Sequence, residues 1–161
     1  GPMPIFAHNR VIQNLRRRFD YVFEVDNRYP GAPSVIPNEI IENEPFPLGN
    51  KIAIPINIMH GNLQVFGFRI DDFAYLTDVK TIAESEVQKL KGVKTLVVNA
   101  LREEPHHSHF NLEEAVAFIA KIQPEKAYLT HISHLFGFHE DIQKKLPPNI
   151  FVAYDNLEIT I

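Results

Sequence analysis

Five of the chain's eight histidines fall between residues 103 and 138, and a sixth, His139, follows at once. The run His106-His107-Ser108-His109 is answered 22 residues beyond His109 by His131, while His60 and Asp78 each close an apolar, strand-like run further upstream. Neutral imidazole and carboxylate together form the donor set that holds zinc, manganese or iron. Two such ions about 3.5–4 Å apart, bridged by a carboxylate, can generate hydroxide and clamp a phosphate ester. Asp78 has the chemistry of that bridge. The chain has no cysteine, so a metal would have to be held by nitrogen and oxygen alone.

Each residue also has a plainer reading. His60 could be a hydrogen-bonded structural histidine, and Thr77-Asp78 a turn or a helix cap. His106 to His109 could be a solvated loop that collects metal adventitiously, with His134 and His139 as surface residues. Placement argues for a site. Loops at the carboxyl ends of strands gather polar chemistry because the sheet holds their backbone rigid while side chains project into a crevice.

The elements that must deliver these side chains can be read from pattern. Asn111, with Glu114 three residues on, forms a capping box for a helix running to about Ile122. Ala115, Val116, Ile119 and Ile122 give that helix an apolar face, and Gln123-Pro124 stops it. The β-prone run KAYLT then delivers His131, just as TLVVN leads into the histidine loop. Residues 51–58 alternate, with Ile52, Ile54, Ile56 and Ile58 on one face, and end at His60-Gly61. Residues 63–70 and 73–77 read as a hairpin around Asp71-Asp72 whose second arm stops at Asp78. Thr81 with Glu84 reads as a capping box for a helix of about ten residues closed by Gly92.

The flanks complete an α/β pattern with a mixed sheet and flanking helices. Residues 3–7 read as a strand and 9–19 as a helix with Arg16-Arg17-Arg18 along its solvated side. Residues 27–50 carry five of the twelve prolines, which predicts a long irregular connection. Near the end, a short helix over 140–146 precedes a hairpin over 150–161 that turns at Asp155-Asn156.

Composition bounds the function. The 161 residues, 45% hydrophobic, can bury a core, and 3–161 reads as one domain preceded by a Gly1-Pro2 tag scar. A formal charge of −4 and a pI near 6.1 argue against non-specific binding to nucleic acid or an anionic membrane. No apolar run approaches the roughly 20 residues that span a bilayer, and no signal-peptide pattern opens the chain, so a cytoplasmic location is expected.

Taken in order, the strand ending at His60-Gly61, AYLTD ending at Asp78, LVVNALREEPHHSHFN and KAYLTHISH resemble the carboxyl-terminal half of the metallo-β-lactamase fold hydrolases. The branch most similar is the one that includes phosphoribosyl 1,2-cyclic phosphate phosphodiesterase, with tRNase Z more distant. The resemblance implies part of a four-layer αββα sandwich and two divalent ions, zinc or manganese. It makes His60 a terminal ligand of one ion, His131 a terminal ligand of the other, and Asp78 the bridge. His109 becomes the non-ligand histidine that contacts the scissile phosphate or protonates the leaving oxygen, a role suited to a group titrating near neutrality. His107 and His134 become substrate contacts. The implied substrate is a small cyclic phosphate or other phosphodiester, although the fold also hosts thioester and lactam hydrolysis.

The family's first metal motif, His-x-His-x-Asp-His, does not occur in this sequence. The chain is therefore expected to be a carboxyl-terminal portion holding at most one weakly bound ion on His60, Asp78 and His131. Its uncovered half-sandwich is expected to drive self-association, swapping or pairing with a separately supplied piece. Two rivals stand beside this reading: a non-catalytic folded remnant or assembly module with structural histidines, and a tRNA-processing endonuclease, which the acidic charge disfavours.

Overall fold

In a computed structural model that describes residues 1–24 and 29–160, contacts divide the chain into two compact units, 1–44 and 45–161. In the first unit, strand β1 (Met3–Ala7) pairs in parallel with β2 (Val35–Glu39). Helices α1 (Asn9–Arg18) and α2 (Asp20–Phe23) lie between them in sequence. The ring nitrogen Nδ1 of His8 caps α1 by accepting from the Arg10 amide at 3.2 Å. All three residues of the Arg triplet fall in the last turn of α1, and Arg16 stands 4.9 Å from the centre of the Phe23 ring. Cations belong at this end of a helix, where the dipole is negative.

The irregular connection expected over 27–50 is partly regular. It contains β2 and, in the second unit, β3 (Phe46–Leu48); residues 27 and 28 lie outside the described ones. Pro37 is accommodated because a two-stranded sheet consists only of edges, where a missing N–H costs no ladder bond.

The second unit is built on an eight-stranded mixed sheet. Its other members are β4 (Lys51–His60), β5 (Leu63–Ile70), β6 (Phe73–Leu76), β7 (Thr81–Ile82), β8 (Thr95–Asn99), β9 (Lys126–Thr130) and β10 (Ile150–Val152). Strand order runs β10-β9-β8-β6-β5-β4-β3, with β7 paired to β4. From β3 to β6 the neighbours are antiparallel; β6, β8, β9 and β10 are parallel. Parallel neighbours need crossovers, supplied by α3 (Glu84–Gln88), α4 (Leu112–Ile122) and α5 (His139–Gln143). The crossovers put Asp78, the histidine loop and His131 beyond the carboxyl ends of neighbouring strands.

Burial follows the expected alternation of β4 only in part. Ile56 and Ile58 are fully buried, joined by Leu76, Leu96, Val98 and Leu129 from the central strands and Ala115 and Ile119 from α4. Ile52, however, is exposed, Ile54 is half-buried, and Ala53 and Pro55 of the opposite face are buried as well. Pro55 lies inside β4 without breaking it. On that flank β3 covers only 51–53 and β7 only 58–59. The opening is filled by α3, where the buried carboxylate of Glu86 accepts from the Asn57 amide at 2.8 Å and from Lys89 Nζ at 2.7 Å.

Two local expectations give way to tertiary pairing. Thr81 does not cap α3: it sits in β7 opposite Met59, the N-cap is Ala83 with no side-chain bond, and α3 spans 5 residues. At the other end, β10 pairs in parallel with β9 instead of folding back on itself. Asn156 does turn, at φ +67°, but among the described residues no strand follows it. No helix among the described residues is long and apolar enough to cross a membrane.

Candidate metal centre

Four connections meet at the carboxyl end of the sheet. His60 is the last residue of β4, where Gly61 supplies the positive φ of +60° that opens a two-residue hairpin turn. A Cβ on Gly61 would lie 3.4 Å from that of Ser108, so this turn packs directly on the histidine loop. Asp78 follows β6 and His131 follows β9, both in left-handed backbone at φ +64° and +56°. His109 comes from the loop between β8 and α4. That loop is pinned by Leu101 N donating to Phe110 O at 2.9 Å, by Phe110 N donating to Val79 O at 2.7 Å, and by the α4 cap. The cap is the capping box read from sequence: Asn111 Oδ1 accepts from Glu114 N and Glu114 Oε2 accepts from Asn111 N, each at 2.9 Å.

Asp78 is the common partner. His109 Nε2 lies 3.1 Å from Asp78 Oδ1, and His131 Nε2 lies 3.5 Å from the same oxygen. The His109 ring stacks on His131 with centres 4.8 Å apart and 18° between planes, and meets the edge of His60 at 4.5 Å. One donor atom from each of His60, Asp78 and His109 falls within 4.8 Å of the others, close enough that the three could hold one cation. His131 joins the cluster through Asp78 and is the most exposed of the four. His107 is also exposed, with its ring 4.4 Å from His106. His134 is exposed on the loop after β9, and among the described residues it takes part in none of the site's hydrogen bonds or ring contacts.

His109 has a defined proton arrangement. A carboxylate oxygen only accepts, so Nε2 carries the hydrogen and Nδ1 is the acceptor, 3.0 Å from the Ser108 hydroxyl and 3.2 Å from His106 Nδ1. Burial is the main influence on its titration and pushes it below the ordinary imidazole value; the hydrogen bond to Asp78 opposes this, while His131 and His60 add to it. His106 is also pushed down, by burial first and then by His107, His109, Arg102 and Lys80. Neutral imidazoles are the form that binds metal. The donor set and its spacing fit a divalent ion held by His60, Asp78 and a second histidine.

Sequence reasoning brought His60, Asp78, His109 and His131 to one place but gave no part to His106, Ser108 or Asn99. Asn99 had a legible signal: it is the one polar residue closing the apolar strand TLVVN, and it is fully buried.

Residues 1–132 match the profile of the beta-lactamase superfamily domain. The chain is 36% identical over 160 residues to an octanoyltransferase of Porphyromonas gingivalis, covering 99% of this chain and 32% of that protein. Among solved structures, a diphosphatase of the PhnP family superposes with a TM-score of 0.88 at 28% identity, over 100% of this chain and 59% of that one. Zinc-bound PqqB of Methylobacterium extorquens shares the fold, with a TM-score of 0.78 at 15% identity over 99% of this chain and 65% of that one. The chain thus spans about a third of the first relative and under two thirds of the other two. The fold and the profile match across most of its length place this chain in the beta-lactamase superfamily.

Proposed function

We propose that the second unit carries the carboxyl-terminal part of a metal-dependent phosphodiesterase site, acting on a small phosphodiester or cyclic phosphate with zinc or manganese. The observation that carries this is the single carboxylate oxygen of Asp78, with His109 Nε2 at 3.1 Å and His131 Nε2 at 3.5 Å. His60 and Asp78 hold a cation, with His131 against the same carboxylate. When bound, the cation supplies Lewis acidity toward the phosphate oxygens and a nucleophile at neutral pH.

His109 does different work from the ligands. Its Nε2 hydrogen is held on Asp78 and its Nδ1 accepts from the Ser108 hydroxyl, so it would first take up a proton from solvent. Asp78 favours that imidazolium, which would pass the proton to the departing alkoxide and return to the neutral ring. General acid assistance of this kind contributes about 10²–10⁴-fold. His107 and His134, both exposed on flanking loops, are assigned contacts to the remainder of the substrate. The diphosphatase neighbour supports a phosphorus-centred reaction. Completing the site with a second copy or a separately supplied segment is part of the proposal, as is a cytoplasmic location.

The octanoyltransferase relative favours a second reading, an acyl thioester substrate at the same cluster. Without cysteine, this chain would have to reach such a substrate through the cation rather than a thiol.

Bis(p-nitrophenyl) phosphate and an octanoyl thioester, each assayed with Mn2+ or Zn2+, separate the readings. Under the phosphodiesterase reading only the first is hydrolysed. His60→Ala and Asp78→Ala then lose both metal binding and turnover, whereas His109→Gln keeps Mn2+ affinity within about threefold and loses at least about 10²-fold in turnover. Loss of Mn2+ affinity in His109→Gln would make His109 a ligand and remove it as the acid.

A further inference from the structure

We infer that Asn99 is a positioning residue for Asp78, acting as a surrogate peptide group that holds the turn from which the carboxylate projects. The inference rests on the reading of Asp78 as the cation's carboxylate, and extends it to a residue that touches neither cation nor substrate.

Pairing between β6 and β8 proceeds in register through Leu76 opposite Val98 and then stops. The next rung would set Thr77 opposite Asn99, but Asp78 turns into left-handed backbone and takes the chain out of the sheet. Two backbone groups of Val79 are thereby left in a fully buried position without a strand partner. Asn99 satisfies both from its side chain. Its Oδ1 accepts from Val79 N at 2.7 Å and its Nδ2 donates to Val79 O at 3.1 Å. A carboxamide offers one donor and one acceptor side by side, the pattern of a peptide unit, and Asn is the side chain short enough to supply it from the neighbouring strand.

Val79 O also accepts from Phe110 N at 2.7 Å, one residue past His109. Asp78 and His109 are therefore tied through one residue, Val79, whose N–H and C=O are both held by Asn99. The main chain of Asn99 completes the arrangement from the other flank, pairing with Thr130, the residue before His131. A buried amide left without partners would be expected to release the turn, since non-glycine residues hold left-handed backbone only when their surroundings impose it.

Two variants test this: Asn99→Ala, which removes both bonds, and Asn99→Asp, which keeps the acceptor for Val79 N and sets an oxygen against Val79 O. Val98→Ala, another fully buried residue of β8, is the control for general loss of stability. Thermal melts without metal put the variants on one stability scale, and Mn2+ titration reads the site. The expectation is a loss of Mn2+ affinity of about tenfold or more in Asn99→Ala, an intermediate loss in Asn99→Asp, and a change within about twofold in Val98→Ala at a similar melting temperature. Equal affinity loss in Val98→Ala and Asn99→Ala would reduce Asn99 to an ordinary core residue and overturn the inference. Should the unsubstituted chain bind no Mn2+, the proposed function fails instead. The inference then stands or falls on a crystal structure of Asn99→Asp: Asp78 still at positive φ with its distance to His109 unchanged would end it.

Discussion

Asp78 and His131, which follow β6 and β9 on either side of β8 and approach each other at 3.5 Å, are both held in left-handed backbone. Such conformations cost non-glycine residues about 1–3 kcal/mol and persist where the surrounding structure imposes them. Here the imposing structure is the sheet. The chain must reverse at once beyond β6 and β9 so that short side chains can reach a common point outside the strand ends, and a relaxed extended residue would carry them past it.

Strain at His131 yields a prediction in which stability and binding part company. Replacing His131 by Ala removes the imidazole and keeps the Cβ that disfavours φ +56°, whereas Gly removes both. Gly is expected to be the more stable of the two variants by about 1 kcal/mol, while both lose cation affinity alike. Urea denaturation and Mn2+ titration of the pair measure this; an Ala variant as stable as the Gly variant would show that the backbone there is unstrained.

The metal-free protein should lose stability as the pH falls, through His109. Its folded value lies below that of an unfolded imidazole, about 6.5, chiefly because of burial. Above that pH the residue is neutral in both states and its contribution is fully present; as the pH falls toward the folded value, the unfolded chain takes up the proton first and stability declines. The groups facing His109 set the size of the effect. Asp78 favours its protonation, His131 and His60 oppose it, and His106 lies on the same loop. Melting temperatures between pH 8 and pH 5.5 in chelator should fall more steeply for the unsubstituted protein than for His109→Gln. Parallel slopes would assign the loss to other groups.

What could be read from the chain divides along the range of the interactions concerned. Asn111 and Glu114 announce the start of α4 because the capping box is closed within four residues and needs nothing from elsewhere. Thr81 and Glu84 show the same spacing and mislead, because Met59, distant in sequence, takes the Thr81 backbone into a strand. The turn at Asn156 was legible and the hairpin was not, since the partner of β10 is β9 and no local signal names it. The site follows the same rule. His60, Asp78, His109 and His131 could be nominated because each closes a strand or adjoins a capped helix. The contacts of Asn99 with Val79 are created by the parallel crossover and leave only a faint trace in the sequence, a polar residue at the end of an apolar run. Those of His106 lie within its own loop, with His107, Ser108 and His109.

The α4 cap should be worth more than an isolated one. Asn111 is buried, and besides accepting from Glu114 N it donates to Glu103 O at 2.9 Å; Glu114 in turn receives Lys80 Nζ at 2.6 Å. Asn111→Ala is expected to cost about 1–2 kcal/mol, read as a lower urea midpoint at unchanged slope. Since α4 begins three residues after His109, the variant should also loosen the histidine loop and weaken Mn2+ binding. A normal midpoint would mean that water replaces the side chain without loss.

Gly67 ties packing to the site through Leu76. A Cβ at position 67 would collide with Leu76 Cδ2 and lie 3.0 Å from Tyr75 O, backbone of the adjacent strand that cannot withdraw without parting β5 from β6. Gly67→Ala should therefore destabilise the protein by about 1–3 kcal/mol, the usual cost of overpacking. Asp78 lies two residues beyond Leu76, so displacement of β6 should lower cation affinity as well. Coupling identifies the cause. On a Leu76→Ala background, which carries its own cavity penalty, the Gly67→Ala substitution should cost less than it does alone, because the methyl group it met is gone. If the two effects simply add, the penalty arises from Tyr75 O and the backbone rather than from Leu76.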